Sequence, residues 1–190
     1  MNRIQEEFSY LSNEDVEILS KYSSIVDYDK ETIIIEYGKY EPYFYYVLEG
    51  IVRGYGFTNE GDEHNMFFIH HGQYFISPEK FFNKERKNSN HVFETVNKVV
   101  ALKIHHNRLM ELAMENHSIF EFYHDALKVL LQSFLERIRL MSIENAEERY
   151  LHLITTRPVL EPNVQKKHIA QFLGITPNSF SRILRSLKQK

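Results

Sequence analysis

Lys166-Lys167-His168-Ile169-Ala170-Gln171-Phe172-Leu173-Gly174-Ile175-Thr176-Pro177-Asn178-Ser179-Phe180-Ser181-Arg182-Ile183-Leu184-Arg185-Ser186-Leu187 reads as two short helices meeting at a tight turn. Ile169, Ala170 and Leu173 form an apolar stripe on the first helix. Gly174 ends it, because glycine alone adopts a left-handed backbone at little cost. Ile175 follows as an expected buried turn residue. Thr176 can cap the second helix, and Pro177 takes its first position, where a missing N–H costs nothing. Phe180, Ile183, Leu184 and Leu187 continue the buried face, while the small side chain of Ala170 lets the two helices cross closely at a steep angle. The segment is a helix-turn-helix by mechanism as well as by pattern.

The residues left exposed on the second helix are then Asn178, Ser179, Ser181, Arg182 and Arg185, with Thr176 at its start. Arginine can bond guanine at two points, asparagine can do the same for adenine, and serine adapts to either. Lys166, Lys167 and Lys188 are better placed for phosphates, which set register without reading sequence. Charge supports the same partner. Residues 162–190 hold six Lys and Arg and no Asp or Glu, although the whole chain of 190 residues carries 23 basic against 26 acidic residues and a net charge of −3. A basic module on an acidic body is the footprint of polyanion binding, and the expected partner is double-stranded DNA.

Upstream of this module the pattern is also helical. Leu127, Leu131, Phe134, Ile138 and Met141 recur at alternating spacings of four and three, which is a coiled-coil seam within a helix expected from about Ser118 to Ile143. Val129, Leu130 and Leu135 offer a second apolar face for packing onto the rest of the chain. Two apolar faces on one helix imply a homodimer. Ser142, Glu144 and Asn145 suit a hinge or a new helix start, and Arg157, Pro158, Glu161 and Pro162 a break.

Further upstream the chain changes character. Six of the seven glycines lie between Gly38 and Gly72, among short runs rich in β-branched and aromatic residues: 32–35, 43–48, 51–55, 66–69, 92–96 and 99–104. That spacing implies a β-sandwich or small barrel. Ahead of it, Ser12 and Asp15 predict a capped helix. Apolar residues at 43% and aromatics at 14% are ample for a packed core. Cysteine is absent, which excludes disulfides, thiolate metal sites and a cysteine nucleophile. No stretch has the length of a membrane helix and the start is too polar for a signal peptide, so a cytoplasmic protein without membrane partners is expected.

With these parts in place the chain resembles the CRP/FNR (cyclic AMP receptor protein) family of transcription regulators over nearly its whole length. The likeness rests on Tyr45-Tyr46-Val47-Leu48-Glu49-Gly50-Ile51-Val52-Arg53, on Gly72-Gln73-Tyr74-Phe75-Ile76, on the long helix, and on His168 through Thr176 leading into Ser181-Arg182-Ile183-Leu184. Ala-Glu-Glu-Arg-Tyr at 146–150 and Leu-Gly-Ile-Thr-Pro at 173–177 are similar to regulators common in Bacteroidetes-type bacteria. The resemblance implies an α+β fold in three parts: a cyclic-nucleotide-binding-like β-roll over 1–117, a dimerisation helix over 118–143, and a helix-turn-helix domain over 144–190. It also implies RNA polymerase as a partner, an effector of unspecified chemistry sensed by the roll, and a palindromic DNA site. Nucleotide-binding members carry a Gly-Glu-Leu-like motif for the ribose and an Arg-Ser/Thr pair for the cyclic phosphate. Here the corresponding stretches read Ser77-Pro78-Glu79 and Ser89-Asn90, with Arg86 three residues earlier. Ser77, Glu79, Arg86, Ser89 and Asn90 are therefore the candidate effector pocket. Without a guanidinium beside Ser89, cyclic AMP is not expected to bind in the usual way, since a buried phosphodiester would lack its charge partner.

Ten histidines invite a second reading, a cupin-like metal- or ligand-binding roll or enzyme with an incidental basic tail, built on His64, His70, His71, His105, His106 and Glu49. Adjacent strand residues face opposite ways, so His70 and His71 are not expected to share one cavity. No P-loop, G-x-S-x-G or H-E-x-x-H motif occurs, and no catalytic residue, cofactor or metal is expected.

Overall fold

A computed structural model describes residues 3–79, 88–143 and 145–189. Among the described residues eight strands form two four-stranded antiparallel sheets: β1 (Ser23–Tyr28), β8 (Val99–His105), β3 (Tyr43–Glu49) and β6 (Tyr74–Phe75) in the first, and β2 (Ile33–Ile35), β7 (Val92–Thr95), β4 (Ile51–Phe57) and β5 (Glu63–His70) in the second, in those spatial orders. The six expected strands are all present, within a few residues of their predicted ends. Two were not foreseen. One is β1, an edge strand whose burial alternates only weakly, and the other is the two-residue β6.

Alternation along β3 explains the layering, because successive side chains point to opposite faces. Tyr45 and Val47 point between the sheets and join Val52, Ile69, Phe75 and Phe93 in an inner core. Phe44, Tyr46 and Leu48 point outward and meet helices from both ends of the domain. Gly50, at φ +89°, turns the chain from the first sheet into the second.

Those helices are α1 (Arg3–Glu7), α2 (Asn13–Tyr22), α3 (His106–Glu115) and α4 (His117–Ser142). The expected cap on α2 is present as a full box: Ser12 Oγ accepts from the Asp15 amide at 3.1 Å, and the Ser12 amide donates to Asp15 Oδ2 at 3.2 Å. Asn116 caps α4 by accepting from the Ile119 amide, and its own side-chain amide donates to Asp15 Oδ1 at 2.8 Å. One buried carboxylate thus serves the starts of two helices.

Beyond α4 the chain forms α5 (Ala146–Thr156), α6 (Leu160–Asn163), α7 (Lys166–Phe172) and α8 (Pro177–Lys188). Asn145 caps α5 by accepting from the Glu147 amide at 2.8 Å. Glu144, assigned to the hinge, lies outside the described residues. Pro162 lies inside the single turn of α6 rather than breaking a helix, at a position whose N–H needs no helical partner. The C-terminal helices share one core, built on Tyr150, Leu153, Ile169, Phe172, Leu173 and Phe180, and the roll contributes Ile51 and Phe68 to it.

Two assignments on α4 are corrected. Leu127, placed in the exposed seam, is half-buried against the roll's helical core together with Val129 and Leu130. Leu135, placed on the packing face, is 57% exposed. The apolar exposed stripe of the helix takes in Leu131, Leu135 and Ile138, while Leu130 and Phe134 face the roll. Phe134 and Met141 are partly exposed, and Phe134 packs edge-on against Phe67 with ring centres 5.2 Å apart.

Candidate nucleic-acid interface

The turn between α7 and α8 is built as its residue types require. Gly174 takes φ +69° with the Met141 methyl against its Cα face. The Thr176 hydroxyl oxygen accepts from the Ser179 amide at 3.2 Å, and its O–H donates to Ser179 Oγ at 3.0 Å. Phe180 anchors α8 from below, its ring edge-on to Tyr150 at 5.1 Å. Asn178, Ser181, Arg182, Arg185 and Lys188 consequently stand exposed on one helix, and Lys166 and Lys167 are exposed on the first turn of α7. Two expectations are adjusted here. Ser179 is half-buried and occupied by the cap, and Ile175 is half-buried rather than fully so. Ser181 Oγ donates to the Pro177 carbonyl at 2.9 Å, leaving its lone pairs for a partner.

What holds this module against the roll was not legible beforehand. Arg53, on β4, is 6% exposed and pairs with Glu63 at 2.7 Å and Glu94 at 2.6 Å, its guanidinium stacked 4.0 Å over the Tyr55 ring. The same Arg53 reaches His168 Nδ1 of α7 at 3.3 Å, and fully buried Asn65 reaches that nitrogen at 3.2 Å. Asn65 Nδ2 also donates to Gln171 Oε1, which lies 3.2 Å from the imidazole. Within the C-terminal module Arg149 donates to the Leu173 carbonyl at 3.0 Å and the Ile143 carbonyl at 2.5 Å. Phe68 packs on Phe172 with ring centres 5.1 Å apart.

His168 makes this joint sensitive to pH. Burial, followed by the charge of Arg53, pulls its pKa below the ordinary 6.5, against the opposing hydrogen bond with Gln171 and with a further small push from Lys167. The docked form therefore holds a neutral ring that accepts from Arg53 and Asn65. Above pH 6.5 the docking contribution is complete; as pH falls below that value the unfolded or undocked chain takes up the proton first, and stability is lost. Burial lowers His64 and His70 in the same direction. Urea titrations at about pH 7.5 and 5.5 should show an acid loss that shrinks in His168→Gln. An undiminished loss in that variant would mean the joint does not titrate.

Three of the five candidate effector residues, Ser77, Glu79 and Asn90, lie together around the Glu79 carboxylate. Ser77 Oγ donates to Glu79 Oε2 at 2.7 Å, the Asn90 amide donates to Glu79 Oε1 at 3.0 Å, and His91 Nδ1 lies 3.3 Å from the same oxygen. Burial raises the Glu79 pKa, but the donors, Ser77 foremost, outweigh it and hold the group below the usual range. Fully buried Ser89 is spent on the His91 backbone. Arg86 lies outside the described residues. The histidines are dispersed: His71 falls in the turn after β5 rather than in the strand and pairs with Glu7, while His106 meets the Tyr123 hydroxyl at 3.0 Å. Among the described residues no group of three His, Asp or Glu could hold a metal ion. Nor is any helix there long and apolar enough to cross a membrane.

The family pattern of the cyclic nucleotide-binding domain matches residues 25–116, the span from β1 through the Asn116 cap. These residues are similar to that domain, under half of the chain. Solved structures resemble the chain well beyond that domain. FixK2 from Bradyrhizobium japonicum matches with a TM-score of 0.71 at 18% identity, over 88% of this chain and 85% of that one. CLP, the c-di-GMP-responsive global regulator of Xanthomonas campestris, matches with 0.73 at 16% identity, over 94% and 92%. A protein assigned to the CRP/FNR family of transcriptional regulators from Eubacterium rectale matches with 0.72 at 14% identity, over 95% and 85%. At these identities the likeness shows the fold: a cyclic nucleotide-binding domain, a long helix and C-terminal helices arranged as in CRP/FNR regulators. Among curated proteins none matches.

Proposed function

We propose that the protein is a homodimeric, sequence-specific DNA-binding transcriptional regulator. The observation that carries this reading is the exposed face of α8, where Asn178, Ser181, Arg182 and Arg185 stand together on a helix fixed from beneath by Phe180, with no acidic residue from 162 to 190. Paired along the α4 stripe of Leu131, Phe134, Ile138 and Met141, two copies would present their second helices to successive major grooves about 34 Å apart, on an inverted-repeat site. Lys166, Lys167 and Lys188 serve phosphates. Occupancy of the cyclic nucleotide-binding domain would bias the docking of α7 on β4 and β5 through Arg53 and His168. Cyclic AMP is not the expected occupant, because the Asn90 amide and the Ser77 hydroxyl are already bonded to Glu79, an anion that a phosphodiester would have to displace.

The test is selection of genomic DNA fragments by the purified protein at near-physiological salt, with cyclic AMP added in a parallel arm. Recovery of one palindromic sequence, equal in both arms, is expected; binding that is blind to sequence in both would overturn the reading. Arg182→Ala should then lose about 1–3 kcal/mol on the selected site and relax its specificity, whereas Lys188→Ala should weaken specific and random DNA alike. Equal losses on both kinds of DNA for Arg182→Ala would remove that residue from recognition.

A further inference from the structure

Between β5, β6 and α4 lies a cavity of about 90 Å³, walled by the near-parallel rings of Phe75 and Phe93, by Phe67, and by Phe134 on its outer side. Its lining is almost wholly apolar except at one end, where Arg137 and Arg157 enter with Phe172 of the helix-turn-helix. The two arginines differ in one respect. Arg157 pairs with Glu136 at 2.8 Å. Arg137 gives one donor to the Phe172 carbonyl and lies 4.2 Å over that residue's ring, but among the described residues no carboxylate stands within ion-pair distance of it. Burial, followed by the charges of Arg157 and Arg149, pulls its pKa down to about 10. A desolvated guanidinium among like charges is costly unless an anion meets it. Its planar fork matches a carboxylate in two bonds.

From this geometry we infer that the cavity is a binding site for a small apolar monocarboxylate, a branched-chain or single-ring acid whose body enters among the phenylalanines and whose carboxylate meets Arg137. Size limits the class. Drug-sized ligands occupy pockets of about 300–1,000 Å³, whereas benzene is held by an apolar cavity of about 150 Å³. A branched four- or five-carbon body fits with little adjustment, and a single ring fits once the exposed Phe134 swings outward. A nucleotide is far too large. The cavity adjoins the Ser77, Glu79 and Asn90 cluster through Ile76 and Pro78 in its wall, and its charged end touches the roll, the long helix and α7 at once. A carboxylate there would therefore bear on how the helix-turn-helix docks. That regulatory meaning rests on the DNA-binding reading, but the binding itself does not.

Calorimetry on the purified full chain without DNA, using isovalerate and benzoate against their neutral amides, tests the site. At least one acid is expected to bind at low-millimolar concentration or better, about tenfold or more tightly than its amide, and Arg137→Met should abolish the difference. Equal affinity of acid and amide, or no heat from either acid, overturns the inference. The acid–amide comparison uses the unmodified protein and stands even if Arg137→Met fails to fold. Loss of the DNA-binding reading in the fragment selection would leave this result untouched.

Discussion

Arg53→Ala is expected to cost about 3–5 kcal/mol of stability and to release α7 from the roll, because it removes one partner of a buried charge cluster and leaves the others. Glu94, with its side chain 15% exposed, loses the countercharge at 2.6 Å; Glu63, more open to water, contributes less. Asn65 and His168 lose a shared neighbour across the joint. Two controls separate the causes. Arg53→Met restores packing against Tyr55 but not the charge, and should recover little. Adding Glu63→Gln and Glu94→Gln to it should recover most of the loss, since neutral groups carry a far smaller desolvation penalty. Urea denaturation reads the stability, and protease accessibility of the 157–165 connection reads the undocking. A loss under about 1 kcal/mol for Arg53→Ala would show the cluster to be effectively solvated.

Gly50→Ala should be nearly as damaging for an unrelated reason. At φ +89° an L-residue is strained, and a Cβ built there falls 2.3 Å from the Lys98 carbonyl oxygen and 2.9 Å from Val99 Cγ2. Backbone strain of about 1–2 kcal/mol and overpacking of about 1–3 kcal/mol act together, so a loss of about 2–5 kcal/mol is expected. Gly38 is the internal comparison. Its φ is +74° but nothing lies within 4 Å of the added carbon, so Gly38→Ala should show the strain alone. Equal losses at the two positions in parallel denaturant titrations would mean that the Lys98–Val99 segment yields freely. The register explains why it should not: Glu49 pairs with Val100, and the Asn97 side chain accepts from the Ile51 amide at 2.8 Å, so both sides of the contact are tied to strands.

These two positions also mark what a reading of the sequence reaches. Gly50 lies in a strand–glycine–strand run whose meaning is local, and so do Gly174, Thr176, Pro177 and the Ser12–Asp15 box, where the partner stands within three or four residues. The helix-turn-helix and six of the strands were visible for that reason. Arg53 was visible only as part of a family-like run, because its partners lie 10, 41 and 115 residues away and no spacing rule connects them. Leu127 and Leu135 were exchanged between faces because a heptad pattern tells which residues share a face but not which face the rest of the chain covers. β1 escaped notice because an edge strand with no fully buried residue, Ser23-Ser24-Ile25-Val26-Asp27-Tyr28, has little of the apolar alternation that reveals a half-buried one.

The Asp15 carboxylate that joins two helix starts sets an order of events during synthesis. Asn116 follows it by 101 residues, which at roughly 5–20 residues per second is a wait of about 5–20 s on the ribosome. Through that interval Asp15 can cap only its own helix, and Val16 and Leu19, fully buried in the finished protein, lack α4 and, until β8 is made, the completed β3–β8 sheet to cover them. A segment made before the roll is thus among the last to be secured, and the nascent chain carries an uncovered apolar helix face until the long helix begins to emerge.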